Sequence, residues 1–102
     1  MQARIRPSEL VKTYRPQIHA ILARYRVRNP LVFGSVARGT DTIDSDLDLL
    51  VSDPLETPLS LMALGGINAE LQDLLGIPVD VIVVEDLPAP LRHDLAREAR
   101  PI

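Results

Sequence analysis

Three short, mainly apolar segments limit the folds open to this chain, because each has the pattern of a strand and the third is β-branched almost throughout. They are residues 31–33 (LVF), 46–51 (DLDLLV) and 79–84 (VDVIVV). The first two are joined by residues 34–45, which is near the minimum length of a parallel crossover and therefore favours antiparallel pairing. The second and third are joined by residues 52–78, which is long enough for a helical crossover between parallel strands. The sequence therefore predicts an α/β (α+β) fold, with a small mixed β-sheet and helices packed on it.

The first helix is predicted over residues 8–25, where apolar side chains recur at helical spacing. Ser8 is the predicted N-cap. Pro16 lies inside this segment and lacks the amide hydrogen that a helix interior requires. We therefore expect the helix either to kink at Pro16 or to break near Tyr14 and restart.

Two longer helices are predicted after the second and third strands. Thr57-Pro58 has the form of a helix start, since a capping hydroxyl is followed by proline, and Gly76 has the form of a C-terminal cap. Pro90 is predicted to begin the last helix and Pro101 to end it.

The composition excludes several classes of protein. A length of 102 residues predicts a single domain, residues 1–102, with one modest core. The formal net charge is −3 and the 11 Lys and Arg residues are scattered, so a surface for long nucleic acid is not expected. The absence of cysteine excludes disulfides and thiolate metal sites. No apolar run approaches the ~20 residues that span a bilayer, and the N-terminus lacks the apolar segment of a secretion signal, so we expect a cytoplasmic protein without a membrane partner.

Carboxylates are concentrated around the second predicted strand, in the segment VFGSVARGTDTIDSDLDLLV, residues 32–51. Asp46 and Asp48 are two positions apart, so on a strand both side chains leave the same face with their Cα atoms ~6.6 Å apart. Like charges this close repel, and a divalent cation such as Mg²⁺ would relieve the repulsion. For an isolated Asp-x-Asp pattern, an amphipathic strand with its acids in water is the simpler interpretation.

Two further features favour a phosphate and metal site. Asp80 interrupts an apolar strand, where a buried carboxylate is costly unless it is paired or metal-bound, although a place at the open end of the strand would leave it solvated. If the second and third strands are parallel neighbours, Asp80 lies beside Asp46 and Asp48. Gly34-Ser35 follows the first strand, where glycine allows the backbone to turn sharply and approach a ligand. A short helix over residues 35–39 would direct amide groups at a phosphate.

Together these residues resemble the motif of the nucleotidyltransferase superfamily that includes DNA polymerase β. The motif consists of Gly34-Ser35, a ten-residue spacer and Asp46-Leu47-Asp48, followed by an acid in a later apolar strand. The stretch FGSVARGTDTIDSDLDLLV is similar to that of the minimal nucleotidyltransferases (MNT) of prokaryotes, and the resemblance covers nearly the whole chain. It implies a polymerase β-like nucleotidyltransferase fold. It also implies an antitoxin that forms a hetero-oligomer with a HEPN-domain ribonuclease toxin and silences it by transferring AMP from ATP to a toxin tyrosine.

The resemblance assigns roles by position. Gly34 and Ser35 would hold the triphosphate of ATP. Asp46 and Asp48 would bind two Mg²⁺ ions. Asp80 would complete the metal site and help to deprotonate the attacking hydroxyl, so that all three aspartates are metal ligands and catalytic residues.

Other polar residues have weaker assignments. Arg38 lies one helical turn beyond the Gly-Ser pair and is a candidate contact for the β- or γ-phosphate of the nucleotide, but a solvated arginine on a short helix explains it as well. Asp41 and Asp44 are interpreted as loop acids. His19 is interpreted as a surface or partner-facing residue.

Three functions remain open at this point. The first is the protein adenylyltransferase that the resemblance implies, and the second is a catalytically idle antitoxin that blocks its toxin by binding alone. The clustered acids favour the first, because a pure blocker gains nothing from them. The third is a small-molecule nucleotidyltransferase, but enzymes of that kind usually carry a second domain that builds the acceptor pocket. A core this small leaves the acceptor side of the site open, which suits a protein acceptor.

Overall fold

The computed structural model describes residues 5–102 of the chain. The elements, in chain order, are α1 (Pro7–Thr13), α2 (Arg15–Arg24), β1 (Arg28–Phe33), α3 (Ser35–Arg38), β2 (Leu47–Ser52), α4 (Leu61–Leu75), β3 (Val79–Val83), a 3₁₀ turn (Val84–Asp86), α5 (Ala89–Glu98) and β4 (Arg100–Pro101).

The four strands form one mixed sheet in the order β3-β2-β1-β4. β1 pairs antiparallel with β2, and β2 pairs parallel with β3, so both predicted pairings are confirmed. The chain passes from β2 to β3 through α4, as a parallel pair requires. The predicted class, a small mixed sheet with helices packed on it, is confirmed.

One face of the sheet carries the hydrophobic core. Successive side chains of a strand point to opposite faces, and the odd-numbered residues of β2 and β3 are buried together with apolar side chains of α1, α2 and α4. The strand residues in this core are Leu47, Leu49, Val51, Val79, Val81 and Val83. The alternate positions of the same two strands, which include Asp48 and Asp80, therefore lie on the other face.

The predicted first helix is interrupted at Tyr14, which is one of the two outcomes expected from Pro16. α1 ends at Thr13 and α2 begins at Arg15. Pro16 then lies in the first turn of α2, where its missing amide hydrogen costs no intrahelical bond.

The predicted N-cap of the first helix was wrong. α1 begins at Pro7, so Ser8 lies inside the helix. The backbone amide of Ser8 donates a hydrogen bond to Asp41 Oδ2 at 2.8 Å. Asp41 is only 3% exposed, so a buried carboxylate 33 residues away satisfies a first-turn amide of α1, which has no partner within the helix.

The predicted start of α4 at Thr57-Pro58 was also wrong. The helix begins at Leu61, and Ser60 is its N-cap, with Oγ accepting from the amide of Ala63 at 3.0 Å. The amide of Leu59 donates to Asp53 Oδ1 at 2.9 Å, which holds the preceding segment as a loop. The predicted end is confirmed, since Gly76 caps the helix in the left-handed conformation.

The strand boundaries also differ from the prediction. β1 starts at Arg28 rather than Leu31, and an irregularity in its register between these residues accommodates Pro30 within an inner strand. β2 starts at Leu47, one residue after Asp46.

The C-terminal segment was predicted only in part. α5 begins at Ala89 with Pro90 in its first turn, close to the predicted start. Arg100–Pro101, expected to terminate this helix, instead forms β4 and pairs antiparallel with β1. Within residues 5–102, no helix combines the length and the apolar character needed to cross a bilayer.

Candidate active site

Asp48 and Asp80 are direct neighbours across the parallel β2–β3 ladder. Because their strand neighbours Leu47 and Val79 are buried in the core, both carboxylates project from the opposite face of the sheet. Asp48 is half-buried and Asp80 is exposed. The predicted juxtaposition is therefore present, and the exposure of Asp80 follows from the face on which it lies.

Asp46 adds a third carboxylate to this neighbourhood. It immediately precedes β2 and is exposed. Burial raises the pKa of Asp48, and the negative charges of Asp80 and Asp46 raise it further. Asp48 thus sits in a cluster of like charges, the arrangement in which an added cation is most favourable.

The three carboxylates do not form a ready-made metal cage. In the part of the chain that the structure describes, no three His, Cys, Asp or Glu side chains converge closely enough to hold a metal ion by themselves. Repulsion between the carboxylates disfavours such convergence when no cation is bound. Mg²⁺ commonly takes one or two protein carboxylates and completes its shell with water and substrate phosphates, so the oxygen donors of Asp46, Asp48 and Asp80 still fit that ion.

Gly34 forms the turn that brings β1 up to these carboxylates. Its φ of 70° and ψ of −146° lie in a region that residues with a Cβ rarely adopt. A Cβ atom at this position would come within 3.0 Å of Asp48 Oδ2. Phe33, the preceding residue, pairs with Asp48 in the β1–β2 register. Both the conformation and the space beside Asp48 therefore require glycine at this turn.

The short helix α3 follows this turn, as predicted. Ser35 is its first residue and is half-buried, and Arg38 is its last. Arg38 Nη1 lies 3.1 Å from Glu98 Oε1, in an ion pair whose side chains are each about half exposed. Glu98 belongs to α5 and is 60 residues from Arg38 in sequence, so no local pattern could have indicated it.

Two hydrogen bonds hold the loop between α3 and β2, which ends at Asp46. Asp41 is tied to the amide of Ser8, and Thr42 donates its backbone amide to Ser45 Oγ at 2.9 Å. Asp41 was predicted to be an ordinary loop acid, and its anchoring role was missed. The partner of Asp41 is distant in sequence, and only its burial identifies the contact.

Comparison with known proteins agrees with this geometry. The family model described as "Nucleotidyltransferase domain" matches residues 17–102. A relative from Thermococcus cleftensis, named protein adenylyltransferase MntA, is 39% identical over 74% of this chain and 74% of its own length.

Solved structures share the fold. One described as a minimal nucleotidyltransferase superposes with a TM-score of 0.81 at 36% identity, covering 93% of this chain and 95% of the other. A second contains an AMPylated HEPN toxin from Shewanella oneidensis in complex with an MNT antitoxin, and the matched chain has a TM-score of 0.68 at 17% identity, covering 88% of this chain and 69% of that one. At that identity the second similarity concerns the fold alone. The family match, the 39% identical relative and the carboxylate pair beside a glycine turn agree: this chain belongs to the nucleotidyltransferase domain family.

Proposed function

We propose that this chain is a cytoplasmic antitoxin that transfers AMP, in a Mg²⁺-dependent reaction, from ATP to a tyrosine hydroxyl of a HEPN-domain toxin. The observation that carries the proposal is the position of Asp48, which lies beside Asp80 on the open side of β2 and against the turn at Gly34. The name of the Thermococcus relative supports a protein as the acceptor of AMP. The AMPylated toxin in the Shewanella complex supports a HEPN protein as that acceptor.

The carboxylates would hold the metal ions. Asp46 and Asp48 each supply oxygen ligands, and Asp80 lies on the neighbouring strand to complete the set. Bound Mg²⁺ would neutralise the phosphate oxygens and lower the pKa of the attacking hydroxyl. Burial raises the pKa of Asp48 and the charges of Asp80 and Asp46 raise it further, and this concentration of negative charge supports cation binding at this point.

The reaction needs positioning more than covalent assistance from the protein. The acceptor oxygen forms a bond to the α-phosphorus of ATP, the bond from that phosphorus to the β-phosphate bridging oxygen breaks, and pyrophosphate leaves. The acceptor proton passes to a carboxylate, for which the exposed Asp80 is the candidate. Gly34 allows the triphosphate to approach the backbone, Ser35 is a candidate to hold it with Gly34, and Arg38 is a candidate contact for its β- or γ-phosphate.

A protein acceptor is favoured because this site is open. Asp46 and Asp80 are both exposed, so the described residues do not enclose a pocket around the acceptor side. A small acceptor would gain little binding free energy there. A tyrosine presented by a second folded protein would bring its own binding surface, and its hydroxyl, with a pKa near ~10, requires the activation that the site offers.

The test is an adenylylation assay. The purified chain is incubated with Mg²⁺, ATP labelled at the α-phosphate and the HEPN-domain protein of the same genome. We expect label on the toxin, located on a tyrosine by peptide mass spectrometry, and lost with EDTA, Asp46→Asn or Asp80→Asn. Neutralisation of the toxin that persists in these variants without label would instead identify a blocker. Label on a small hydroxyl compound, and none on the toxin, would identify the third function.

A further inference from the structure

A buried carboxylate lies on the loop that leads to the proposed metal ligands. Among the residues that the structure describes, Asp41 is the one polar or charged residue that is fully buried. Burying a carboxylate is costly unless hydrogen bonds compensate it, and the bond that Asp41 Oδ2 accepts from the amide of Ser8 supplies part of this compensation. The fold therefore bears a cost at Asp41 that an apolar residue would avoid.

Only one oxygen of this carboxylate is engaged. Asp41 Oδ1 and Ser8 Oγ are both buried, and neither has a hydrogen-bond partner among residues 5–102. The ion pairs of the same residues do not include Asp41. Asp41 thus acts through a single directed bond to α1 and not through its charge. Asparagine, which also has one acceptor oxygen on its side chain, could make the same bond.

The chain between Asp41 and Asp46 is closed on itself by hydrogen bonds. The amide of Thr42 donates to Ser45 Oγ at 2.9 Å, and the amide of Ser45 donates to the carbonyl of Thr42 at 3.0 Å. These reciprocal bonds join residues 42–45 into one turn, and Asp46 follows it directly. A movement of Asp41 would therefore be carried through the turn to Asp46.

The other side of Asp41 is connected to the proposed phosphate site. The amide of Thr40 donates to the carbonyl of Ser35 at 3.0 Å, so the residue before Asp41 is bonded to the first residue of α3. Asp41 consequently lies between the two halves of the proposed site, with Ser35 on one side and Asp46 on the other. A bond from Asp41 to α1 fixes both halves against the same helix.

We propose that Asp41 is a positioning residue, whose bond to the Ser8 amide holds the loop so that Asp46 and Asp48 bind Mg²⁺ together. This inference rests on the proposed function, because it concerns the metal ions of that reaction. Substitution of groups that orient metal ligands typically lowers metal affinity or activity by about 10- to 100-fold. A displacement of about 1 Å in a reacting group can have an effect of similar size.

The test measures the affinity of the full chain for Mg²⁺ by NMR titration, without nucleotide or acceptor. For Asp41→Ala we expect the Kd for Mg²⁺ to rise about tenfold or more. Asp41→Asn has the same charge as the alanine variant but keeps the acceptor oxygen, so it should restore most of the affinity. Ser8→Ala keeps the backbone donor and should leave the Kd unchanged.

A control variant separates positioning from stability. Val11→Ala removes buried side-chain volume from the same helix, at a residue that is 6% exposed. It should lower the Tm but leave the Kd for Mg²⁺ unchanged at temperatures where the protein is folded. A merely structural role for Asp41 predicts the same behaviour for Asp41→Ala.

A second measurement needs no substitution, so it applies even if Asp41→Ala does not fold. If the bond to Ser8 strengthens metal binding, then metal binding must strengthen that bond by the same factor. Saturating Mg²⁺ should therefore slow hydrogen exchange of the Ser8 amide about tenfold, although this amide lies on α1 and outside the metal site.

The outcomes separate this inference from the proposed function. Unchanged Mg²⁺ affinity in folded Asp41→Ala, equal losses in the alanine and asparagine variants, or exchange of the Ser8 amide that ignores Mg²⁺ would each overturn the positioning role. AMP transfer by the unsubstituted chain would still stand in those cases. Asp41-dependent Mg²⁺ binding in a chain that transfers no AMP would support the positioning role and overturn the proposed activity.

Discussion

Asp48 and Asp80 occupy the same rung of the parallel β2–β3 ladder, on the face of the sheet opposite the main hydrophobic cluster. No lysine or arginine is paired with either carboxylate among the ion pairs of residues 5–102. The free energy of unfolding of the metal-free protein therefore includes a repulsion that either a cation or a neutral side chain would remove.

The first prediction is that Asp48→Asn raises the Tm of the protein in EDTA at neutral pH. Burial, and then the charges of Asp80 and Asp46, raise the pKa of Asp48 in the folded protein above its unfolded value of 3.8. At a pH between the unfolded pKa and the folded pKa, the native state holds a proton that the unfolded chain has lost. Stability consequently falls as pH rises through that window. At pH 7 the ionised Asp48 therefore lowers the free energy of unfolding. Asparagine carries no charge, so Asp48→Asn removes this cost.

The Tm advantage of Asp48→Asn should disappear on acidification below the unfolded pKa of 3.8, where the carboxyl is protonated in both states. It should also shrink when Mg²⁺ replaces EDTA. Asp73→Asn, at an exposed position of α4, is the control and should show neither effect. An advantage that does not change between acid and neutral pH would show that the ionisation of Asp48 is not its cause.

A second prediction compares two glycines with positive φ. Gly34→Ala should lower the free energy of unfolding by more than the ~1–2 kcal/mol typical of forcing a residue with a Cβ into a left-handed conformation, because the new atom would also meet Asp48 Oδ2 at 3.0 Å. Gly39→Ala has the φ cost alone, since an added Cβ there would have no atom within 4 Å among the described residues. Chemical denaturation measures both costs.

Activity should separate the same two variants more sharply. Gly34→Ala should abolish AMP transfer, because Asp48 must move and the turn can no longer approach the triphosphate. Gly39→Ala should retain transfer at temperatures where it is folded. Equal activities for the two variants would remove the argument that the turn at Gly34 forms part of the site.

A third prediction concerns the ion pair of Arg38 with Glu98. If Arg38 contacts the nucleotide, Arg38→Ala should raise the KM for ATP about tenfold, the lower end of what a hydrogen bond to a charged group contributes. Glu98→Gln should not raise this KM, since an exposed ion pair contributes little to stability and its loss frees the guanidinium. Equal increases in both variants would show that Arg38 acts by linking α3 to α5 and not by binding phosphate.

A fourth prediction uses the adjacent glycines of α4. Gly65→Ala should stabilise the protein by about 0.5–1 kcal/mol, because alanine favours the helix and no atom of the described residues lies within 4 Å of the added one. At Gly66 the Cβ would lie 2.6 Å from Tyr25 Oη. Gly66→Ala must displace the tyrosine that donates to Glu70, so it should be less stable than Gly65→Ala.

The ionisation of Tyr25 gives an independent measurement of that displacement. Its hydrogen bond to Glu70 is the main cause that raises the pKa of Tyr25 above 10.0. In Gly66→Ala the pKa should return towards its ordinary value, and in Gly65→Ala it should not change. Ultraviolet titration of the phenolate, with Tyr14 as the other tyrosine, would detect the difference. An unchanged Tyr25 pKa in Gly66→Ala would contradict the contact.

Much of the sheet was predictable because its determinants are local. The lengths of the connections around β2 indicated the direction of each pairing, and the positions of Asp48 and Asp80 within apolar strands placed them together once β2 and β3 were parallel. The turn at Gly34 was predictable because a glycine directly after a strand favours a sharp change of chain direction.

The features that could not be predicted depend on contacts between distant residues. Arg100–Pro101 became a strand because β1 offers it an unpaired edge, as the bond from Ile102 N to Pro30 O at 3.3 Å illustrates. Thr57 was predicted to cap α4, but Ser60 caps it instead, and the amide of Leu59 just before it bonds to Asp53, which is six residues away. Local propensity cannot encode such choices.

The bond between Ser8 and Asp41 has a consequence for anyone who shortens this protein. The family match begins at residue 17, yet the loop that carries Asp46 is anchored to a helix that lies before it. A variant that begins at residue 17 would lack Ser8, whose amide donates to Asp41. The carboxylate of Asp41, which is only 3% exposed in the full chain, would then lose this donor and become exposed to solvent. The leading helix thus acts as scaffolding for the loop that carries Asp46.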